Sequence, residues 1–242
     1  MPIRKDHCTE AEKLQRNYYL EGYSTIHYTG ILGRFTNGYH KLLEKCSWLS
    51  TLQNPQVLEL GGGVGEHIPF VSQDFSSYVL TDIELRDILV FDKLLGNPQI
   101  QSKVRFQVAD ALNLDFADNS FDRLISTCLL HHVTNVNSAL SEWRRVVRPG
   151  GIISIYLPCD PGMLYRWTRH VTSHLKQSRK LQMSFSEVKY LWANEHKNHF
   201  LGIYKILKWQ FRDDIVKIKR FPFPGLSWNF NFYLIIQIKI KK

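Results

Sequence analysis

A glycine-rich stretch at residues 59–65, with the sequence Glu-Leu-Gly-Gly-Gly-Val-Gly, has the residue types and spacing of a ligand-binding turn. It follows a short apolar run at 57–60 and precedes a segment, 66–76, whose apolar residues predict a helix. Glycines let a backbone turn sharply and approach a ligand closely, and a helix amino terminus adds free N–H groups and a positive dipole end. We therefore predict a site for a nucleotide-like or carboxylate-bearing ligand.

The spacing of these glycines differs from that of dinucleotide-binding enzymes. Their fingerprint GxGxxG would require a glycine at position 66 or 68, where the sequence has Glu66 and Ile68. Here an acidic residue, Glu59, is followed by glycines at 61, 63 and 65. The pattern therefore argues against a dinucleotide as the ligand.

Two aspartates follow at the ends of the next two predicted strands. Asp82 lies 21 residues after Gly61, where an acidic side chain can accept hydrogen bonds from both hydroxyls of a ribose; Glu84 is the alternative. Asp110 closes the following strand and can accept a hydrogen bond from the exocyclic amine of an adenine. Each aspartate alone could simply belong to a turn, but ligands of open α/β sheets bind outside the carboxyl ends of the strands. Their order therefore favours a nucleoside site.

Short apolar strands alternate with amphipathic helices, which predicts an α/β fold with βαβ units and a mostly parallel sheet. The predicted strands are 57–60, 78–82, 104–110, 121–128, 151–157, 213–221 and 231–241. The predicted helices are 9–22, 36–51, 66–76, 84–95, 137–147 and 199–211. Together they predict a single domain with an N-terminal cap (1–54), a ligand-binding core (55–158), a substrate-side insertion (159–198) and a C-terminal helix and strand pair (199–242).

The composition is that of an ordinary globular protein. The 242 residues are 44% hydrophobic and 22% charged, which argues against a disordered or fibrous chain. Four cysteines without a CxxC pair predict reduced thiols, and the absence of an apolar leader or a long apolar run predicts a cytoplasmic location. The net charge of +9 favours an anionic partner.

Several stretches resemble the class I S-adenosylmethionine-dependent methyltransferases, especially the small-molecule subgroup that includes the quinone-biosynthesis enzymes. They are VLELGGGVGEH (57–67), YVLTDIE (78–84), VADALNLDFADNSFDRLISTCLLHHV (108–133) and EWRRVVRPGGIISIYLP (142–158). The resemblance implies a Rossmann-like seven-stranded, mostly parallel sheet with helices on both faces and an antiparallel last strand. A helical N-terminal cap and a helical insertion after the fifth strand would complete this fold.

The resemblance also implies the cofactor S-adenosylmethionine, with S-adenosylhomocysteine as its product, and assigns residues to it. The glycine turn would surround the methionine part, Arg34 could pair with the methionine carboxylate, and Ile83 would pack on the adenine. Arg34 could equally be a surface arginine. The implied cofactor-binding residues are Tyr28, Arg34, Glu59, Gly61, Gly63, Gly65, Asp82, Ile83, Asp110, Ala111, Cys128 and Leu129.

Methyl transfer to a hydroxyl or an activated carbon also requires a proton acceptor, and histidine is the natural one near neutral pH. His131 and His132 follow the fourth predicted strand, and His196 precedes the late helix beside His199. These three are the candidate catalytic residues, although the first pair could merely shape its loop and His196 could lie at an exposed helix start. No cluster with metal-ligand spacing is visible in the sequence, so no metal is expected.

The segment 160–195 is rich in arginine, lysine, histidine and aromatic residues. It could cover an anionic or carrier-linked substrate, contact an anionic membrane surface, contact RNA, or be a solvated helix pair.

The sequence favours O- or N-methylation of a small-molecule or glycan-intermediate acceptor, with no DNA partner. An RNA or protein methyltransferase, favoured only by the positive charge, and a catalytically silent cofactor-binding module remain alternatives. The sequence does not indicate an oligomeric state.

Overall fold

Helices and strands alternate along the computed structural model, which describes residues 38–84, 98–172 and 184–241. The helices are α1 (38–44), α2 (Pro98–Gln101), α3 (Val136–Val146), α4 (Met163–Thr172), α5 (Phe185–Glu195) and α6 (Phe200–Gln210). The strands are β1 (Gln56–Leu60), β2 (Ser77–Asp82), β3 (Val104–Val108), β4 (Phe121–Thr127), β5 (Val147–Pro158), β6 (Ile215–Phe221) and β7 (Tyr233–Lys239).

The strands form one seven-stranded sheet in the order β3-β2-β1-β4-β5-β7-β6. The first five strands are parallel to one another, and β7 runs antiparallel between β5 and β6. The predicted α/β class, the Rossmann-like sheet and its antiparallel last strand are therefore confirmed. Because the parallel strands share a direction, the residues after Leu60, Asp82, Thr127 and Pro158 emerge at the same edge of the sheet.

Helices cover both faces of this sheet. On one face, Trp143 of α3 and Leu207 of α6 pack in a large cluster with alternate residues of the central strands, such as Ile153. On the other face, Leu43 of α1 packs with Tyr156 of β5 and with β7. The alternation of side chains along a strand explains why neighbouring residues of β5 serve different clusters.

Helix α3 illustrates how local sequence sets an element. The side chain of Asn135 accepts a hydrogen bond from the backbone N–H of Ser138 at 3.1 Å and so caps the amino terminus. The buried residues recur at helical spacing and face the sheet. They are Val136, Ala139, Leu140, Trp143 and Val146.

The helix predicted at 66–76 is wrong. The chain there forms turns and a single 3₁₀ turn, Ile68–Phe70, after which Val71 is extended. The backbone N–H of Ser72 donates to Glu44 Oε2 at 3.2 Å instead of continuing a helix, and His67 is buried against the same carboxylate. These tertiary contacts override the local helical pattern, so the glycine turn has no long helix behind it.

Other boundaries also differ from the predictions. The helix expected at 36–51 ends at residue 44 and is followed by the 3₁₀ turn Leu49–Thr51. Strand β5 begins at Val147 rather than at 151, with a shift of register between Phe121 and Arg123.

The helices predicted at 9–22 and 84–95 lie outside the described residues, apart from residue 84 itself. Among the helices of the described part of the chain, none is long and apolar enough to cross a membrane.

Candidate active site

The glycine turn after β1 has a backbone that only glycine adopts readily. Gly61, Gly63 and Gly65 have φ angles of +64°, +57° and +87°, in the region that L side chains disfavour. The N–H of Gly62 donates to the carbonyl of Thr81 on β2 at 2.9 Å, which fixes the turn to the neighbouring strand. The sequence thus predicted the turn correctly, but not the turns that follow it.

Gly62 lies where no side chain fits. A Cβ atom built there would overlap the Leu80 side chain and lie 2.9 Å from Cδ of Glu59. Glu59 itself is 1% exposed, and its Oε2 accepts a 2.6 Å hydrogen bond from the hydroxyl of Tyr78. Burial raises the pKa of Glu59 to about 8, so its carboxyl group is mostly protonated at pH 7. Glu59 supports the turn from beneath, and its contact with a cofactor stays a prediction.

Asp82 connects the end of β2 to the glycine turn. Its side chain is buried, and Oδ2 accepts a 3.1 Å hydrogen bond from the backbone N–H of Gly63. The carboxylate therefore lies against the turn, as a group that receives ribose hydroxyls beside a glycine turn should. The neighbouring side chain of Ile83 is 67% exposed, so an apolar surface is available at the rim. Glu84, the alternative ribose ligand, is exposed.

The chain forms a hydrogen-bonded turn after the end of β3. Oδ1 of the exposed Asp110 accepts a hydrogen bond from the backbone N–H of Leu112 at 2.9 Å, which closes a turn. The carbonyl of Ala111 accepts a 3.2 Å hydrogen bond from the indole N–H of Trp143. Asp110 therefore has the turn role that the sequence left open, and binding of adenine by Asp110 and Ala111 stays a prediction.

The segment after β4 lies beside the same turn. A Cβ atom at Gly61 would lie 3.0 Å from the Leu129 side chain, so Leu129 lines this end of the turn. Cys128 has a φ angle of +55°, which is uncommon for a residue other than glycine and typical of functional sites. Burial raises the pKa of the Cys128 thiol to about 12, so the thiol stays protonated and packs as an apolar group.

The three histidines predicted as catalytic come together in space. The ring centroid of His131 lies 4.0 Å from that of His132 and 4.5 Å from that of His196. We call these three residues the histidine cluster. His131 is 4% exposed, and its Nδ1 has no hydrogen-bond partner among the described residues. Burial, together with its histidine neighbours, lowers the pKa of His131 well below 6.5, so the imidazole is neutral at pH 7.

Asp160, two residues beyond β5, orients His196. Its Oδ2 is hydrogen-bonded to Nδ1 of His196, and Arg169 Nη1 lies 3.4 Å from the same oxygen. Burial of Asp160 opposes its ionisation, but His196 and Arg169 outweigh burial and lower its pKa. Burial also lowers the pKa of His196 below 6.5, against the opposing effect of Asp160. At pH 7 the arrangement is therefore a neutral imidazole beside a carboxylate, which leaves Nε2 with a lone pair when Nδ1 carries the proton.

The carboxyl-terminal end of the predicted insertion is fastened to the segment after β4, which explains how His196 reaches the other two histidines. Asn198 donates from its backbone N–H to the carbonyl of His131 at 3.1 Å and from its side chain to the carbonyl of Val133 at 2.6 Å. The N–H of Phe200 donates to the carbonyl of Asp160 at 2.8 Å. His199, by contrast, is exposed and its side chain does not cap the following helix.

The histidine cluster corrects one expectation from the sequence. One nitrogen from each of His131, His132 and His196 lies within 4.8 Å of the other two, so the fold does assemble imidazoles at a spacing that a transition metal could bridge. The sequence does not indicate this spacing, because His196 is far from His131 and His132 along the chain. The guanidinium of Arg169, 3.3 Å from His196 Nδ1, adds a positive charge that opposes cation binding. Burial and the same charge lower the pKa of His196 and so keep its imidazole neutral.

A buried network joins α1 to the segment after the glycine turn. Arg123 donates from Nη2 to Glu44 Oε1 at 2.6 Å and from Nη1 to Oε2 at 3.1 Å. His67 Nε2 lies 2.9 Å from Glu44 Oε1, and His67 Nδ1 lies 2.7 Å from His40 Nδ1. Burial lowers the pKa of His67 and is also the main cause that lowers the pKa of His40 to about 2, so both rings are neutral. His67 thus packs as part of this buried network.

The described residues fit the implied cofactor. The positive φ angles of the turn leave its backbone without side chains on the ligand side, and a buried carboxylate at the next strand end lies directly beside it. Tyr28 and Arg34, predicted to cover the cofactor, lie outside the described residues. All the individual cofactor contacts stay predictions.

Asp160 and Arg169 were missed as site residues by sequence reasoning, which treated them only as part of a charged segment. Asp160 follows the carboxyl end of a parallel strand, as Asp82 and Asp110 do, so the same positional signal could have identified it. Arg169 has no comparable signal, because its role depends on how α4 packs against the sheet edge.

Comparison with known proteins agrees with this geometry. Residues 58–155 match the family described as Methyltransferase domain. The ubiquinone/menaquinone biosynthesis C-methyltransferase UbiE of Coxiella burnetii is 34% identical over 103 residues, which are 41% of each chain. UbiE of Paracoccus denitrificans is 28% identical over 124 residues, which are 50% of each chain. The chain thus spans half or less of the length of these relatives.

Solved structures share the fold. The PH0226 protein of Pyrococcus horikoshii matches with a TM-score of 0.61 at 18% identity and covers 92% of this chain and 98% of its own. The CurJ carbon methyltransferase matches with a TM-score of 0.53 at 16% identity, over 96% of this chain and 67% of its own.

The family match covers the region in which the glycine turn, Asp82 and the histidines after β4 were located independently. The sheet order agrees with the fold that the resemblance implied, and S-adenosylmethionine is the cofactor of this family. In residues 58–155 the chain is therefore similar to a class I S-adenosylmethionine-dependent methyltransferase domain, and in particular to that of the quinone-biosynthesis C-methyltransferases.

Proposed function

We propose that this protein methylates a small-molecule acceptor at an atom that loses a proton, and that His196 takes up this proton. The observation that carries the proposal is the position of the histidine cluster. His131 and His132 lie in the segment after β4 whose Leu129 packs against Gly61 of the glycine turn, and the ring of His196 lies 4.5 Å from that of His131. The cofactor cradle and a neutral, carboxylate-oriented imidazole therefore share one edge of the sheet.

When bound, S-adenosylmethionine supplies a methyl group on a sulfonium, whose sulfur keeps the electron pair of the broken C–S bond. Asp82 and the backbone of the glycine turn would hold its nucleoside and methionine parts. With the Nδ1 proton of His196 directed at the Asp160 carboxylate, Nε2 is the atom that takes up the proton of the methyl acceptor, and Arg169 Nη1 lies 3.4 Å from it. The imidazolium that forms is stabilised by the same carboxylate, which lies within hydrogen-bonding distance.

The proton acceptor favours an oxygen or an activated carbon as the methylated atom. A hydroxyl or an enol becomes a good nucleophile only on losing its proton, whereas an amine needs a free lone pair. The sequence favoured O- or N-methylation, and the names of the UbiE relatives add carbon as an acceptor. An ionisable phenol or enol satisfies both considerations, because its anion carries negative charge on oxygen and carbon.

Two other functions remain to be distinguished by experiment. Methylation of RNA or protein is favoured only by the net charge of +9. A silent cofactor-binding module would keep the glycine turn and Asp82, but it would have no need for an oriented, neutral imidazole beside the turn.

Calorimetric titration with S-adenosylmethionine and S-adenosylhomocysteine tests the cofactor site. The buried Asp82 carboxylate would make charge-assisted hydrogen bonds, so Asp82→Ala should weaken binding about 10- to 100-fold. Glu84→Ala, which removes an exposed acidic side chain two residues away, is the matched control and should leave binding unchanged. Unchanged affinity in Asp82→Ala would refute the ribose assignment.

Methyl transfer from labelled cofactor to a panel of acceptors tests the reaction. We expect transfer to phenols, enols or carrier-linked small molecules. Transfer to tRNA or rRNA without transfer to any small molecule would refute the proposed substrate class. Tight cofactor binding with no transfer to any acceptor in the panel would support the silent module.

A further inference from the structure

Two neighbouring segments expose large apolar side chains to solvent. In α4, Met163 and Trp167 are 64% and 65% exposed; in the loop 222–232, Phe223, Leu226 and Phe230 are 48%, 48% and 46% exposed. We call these five side chains the apolar face. Single exposed apolar residues are normal, but a group of large ones on adjacent segments marks an interaction surface.

The two segments are packed together. A Cβ atom at Gly162, just before α4, would lie 3.2 Å from the carbonyl oxygen of Trp228 and 3.4 Å from Cα of Asn229. The residues that precede Phe230 therefore touch the beginning of α4. The exposed side chains of the helix and of the loop therefore lie on adjacent segments.

The loop is held in its exposed conformation by one buried side chain. Asn231 accepts a hydrogen bond from the N–H of Phe223 at 2.8 Å and donates to the carbonyls of Phe223, Leu226 and Ser227 at 3.0, 3.3 and 2.9 Å. The loop is thus built as a fixed structure. Its apolar side chains point outward at a cost in hydration that a polar loop would avoid.

Basic side chains accompany the apolar face. Residues 161–172 and 222–232 contain no aspartate or glutamate, whereas Asp160 directly precedes them and pairs with Arg169 on the inner side of α4. On α4 the exposed residues recur at helical spacing and combine apolar with basic side chains; they are Met163, Arg166, Trp167 and His170. Arg220 Nη1 lies 3.4 Å from the carbonyl of Pro224 and so adds its charge to the loop.

We propose that the apolar face docks on the surface of an anionic lipid bilayer, with Trp167, Met163 and the loop side chains entering the interface. Tryptophan beside basic residues is the composition that interfacial helices use for anionic lipid. An acidic protein partner would match the charge equally well. However, the exposed apolar side chains are spread over two elements and do not line a groove, so they suit insertion into a lipid bilayer better than docking of a protein.

The apolar face lies on the helix that also contacts the histidine cluster. Helix α4 carries Trp167 on its exposed side and Arg169, which contacts Asp160 and His196, on its inner side. If the proposed function holds, an acceptor dissolved in the bilayer would reach the histidine cluster beside the docked helix. This part of the inference rests on the proposed function, whereas lipid binding itself does not.

Co-sedimentation of the full chain with lipid vesicles tests the proposal. We expect binding to vesicles of phosphatidylcholine and phosphatidylglycerol in equal proportion, and much weaker binding to phosphatidylcholine alone. Trp167→Ser should weaken binding about tenfold, since a large apolar side chain is lost from the interface, and Arg166→Gln about fivefold. Brominated lipids should quench the fluorescence of the wild type more than that of Trp167→Ser.

The matched control is Trp209→Ser. Trp209 is 70% exposed, but it lies near the other end of α6, away from the loop, and should contribute nothing to vesicle binding. Absence of wild-type binding to the anionic vesicles, or equal weakening by Trp209→Ser and Trp167→Ser, would refute the proposal. Cofactor calorimetry on the same samples separates the two claims, because vesicle binding without cofactor binding would refute only the proposed function.

Discussion

Replacing Asp160 by asparagine should disable proton transfer while sparing the cofactor site. The carboxylate is hydrogen-bonded to His196 Nδ1, and in the proposed mechanism it stabilises the imidazolium that forms during methyl transfer. A charge-assisted hydrogen bond of this kind contributes about 1.5–3 kcal/mol. Since each 1.36 kcal/mol of barrier changes a rate about tenfold, we expect kcat to fall about 10- to 100-fold.

The pH dependence gives a second readout, which a merely structural role would not change. His196 must be neutral to accept a proton, and burial lowers its pKa below 6.5. The rate of the wild type should therefore be level near pH 7 and fall only below pH 6.5, as the imidazole becomes protonated. Because Asp160 raises the pKa of His196, the Asp160→Asn variant should show this acid limb at still lower pH.

The assay is methyl transfer from labelled S-adenosylmethionine across a pH series, with calorimetry of S-adenosylhomocysteine on the same variants. His196→Gln should lose activity at least as strongly, and the exposed His199→Gln is its matched control and should retain full activity. Wild-type kcat in Asp160→Asn, or an equal loss in His199→Gln, would refute the role of this pair. A comparable loss of cofactor affinity would show a structural effect instead.

The remaining predictions concern the turn, the buried network and metal ions. Gly62→Ala should destabilise the fold by about 2–3 kcal/mol, because the added methyl group would overlap buried side chains. Gly202→Ala, where the added Cβ would have no atom within 4 Å, should stabilise the fold by about 0.5–1 kcal/mol. Denaturant unfolding measures both changes. Glu44→Gln should lower the free energy of unfolding by about 3–5 kcal/mol, because it removes the charge that pairs with a buried arginine. Asp118→Asn, at an exposed ion pair, should lower it by less than about 1 kcal/mol. Equal losses in the two variants would contradict this reasoning. EDTA should leave methyl transfer unchanged, because Arg169 opposes cation binding at the histidine cluster; a loss of activity with EDTA would make the cluster a metal centre.

Much of the sheet could be predicted from the sequence because its information is local. Buried apolar runs such as those of β1 and β4, together with the alternation of strands and helices, were sufficient for the fold class. The glycine turn could also be predicted, since three positive φ angles within five residues strongly favour glycine at those positions. Asp82 was found because the carboxyl ends of parallel strands have a known place in such a sheet.

Helix prediction failed where buried partners compete for the backbone. Residues 66–76 have apolar spacing that suits a helix, yet Glu44 binds the N–H of Ser72 and His67 is buried in the network with Arg123. Helical spacing says nothing about such partners, because they come from α1 and β4. A tertiary charge network thus decided the local conformation.

By itself, the sequence determined the α/β sheet, the glycine turn and the acidic residue beside it, since each of these depends on neighbours in the chain or on strand order. Only the tertiary structure decided that His131, His132 and His196 form one cluster and that Asp160 orients one of them. It also decided that α4 and the loop 222–232 share an apolar face. The physical reason is that these arrangements depend on packing between segments far apart in the chain. The spacing of residues along a sequence does not show which distant segments come close in space.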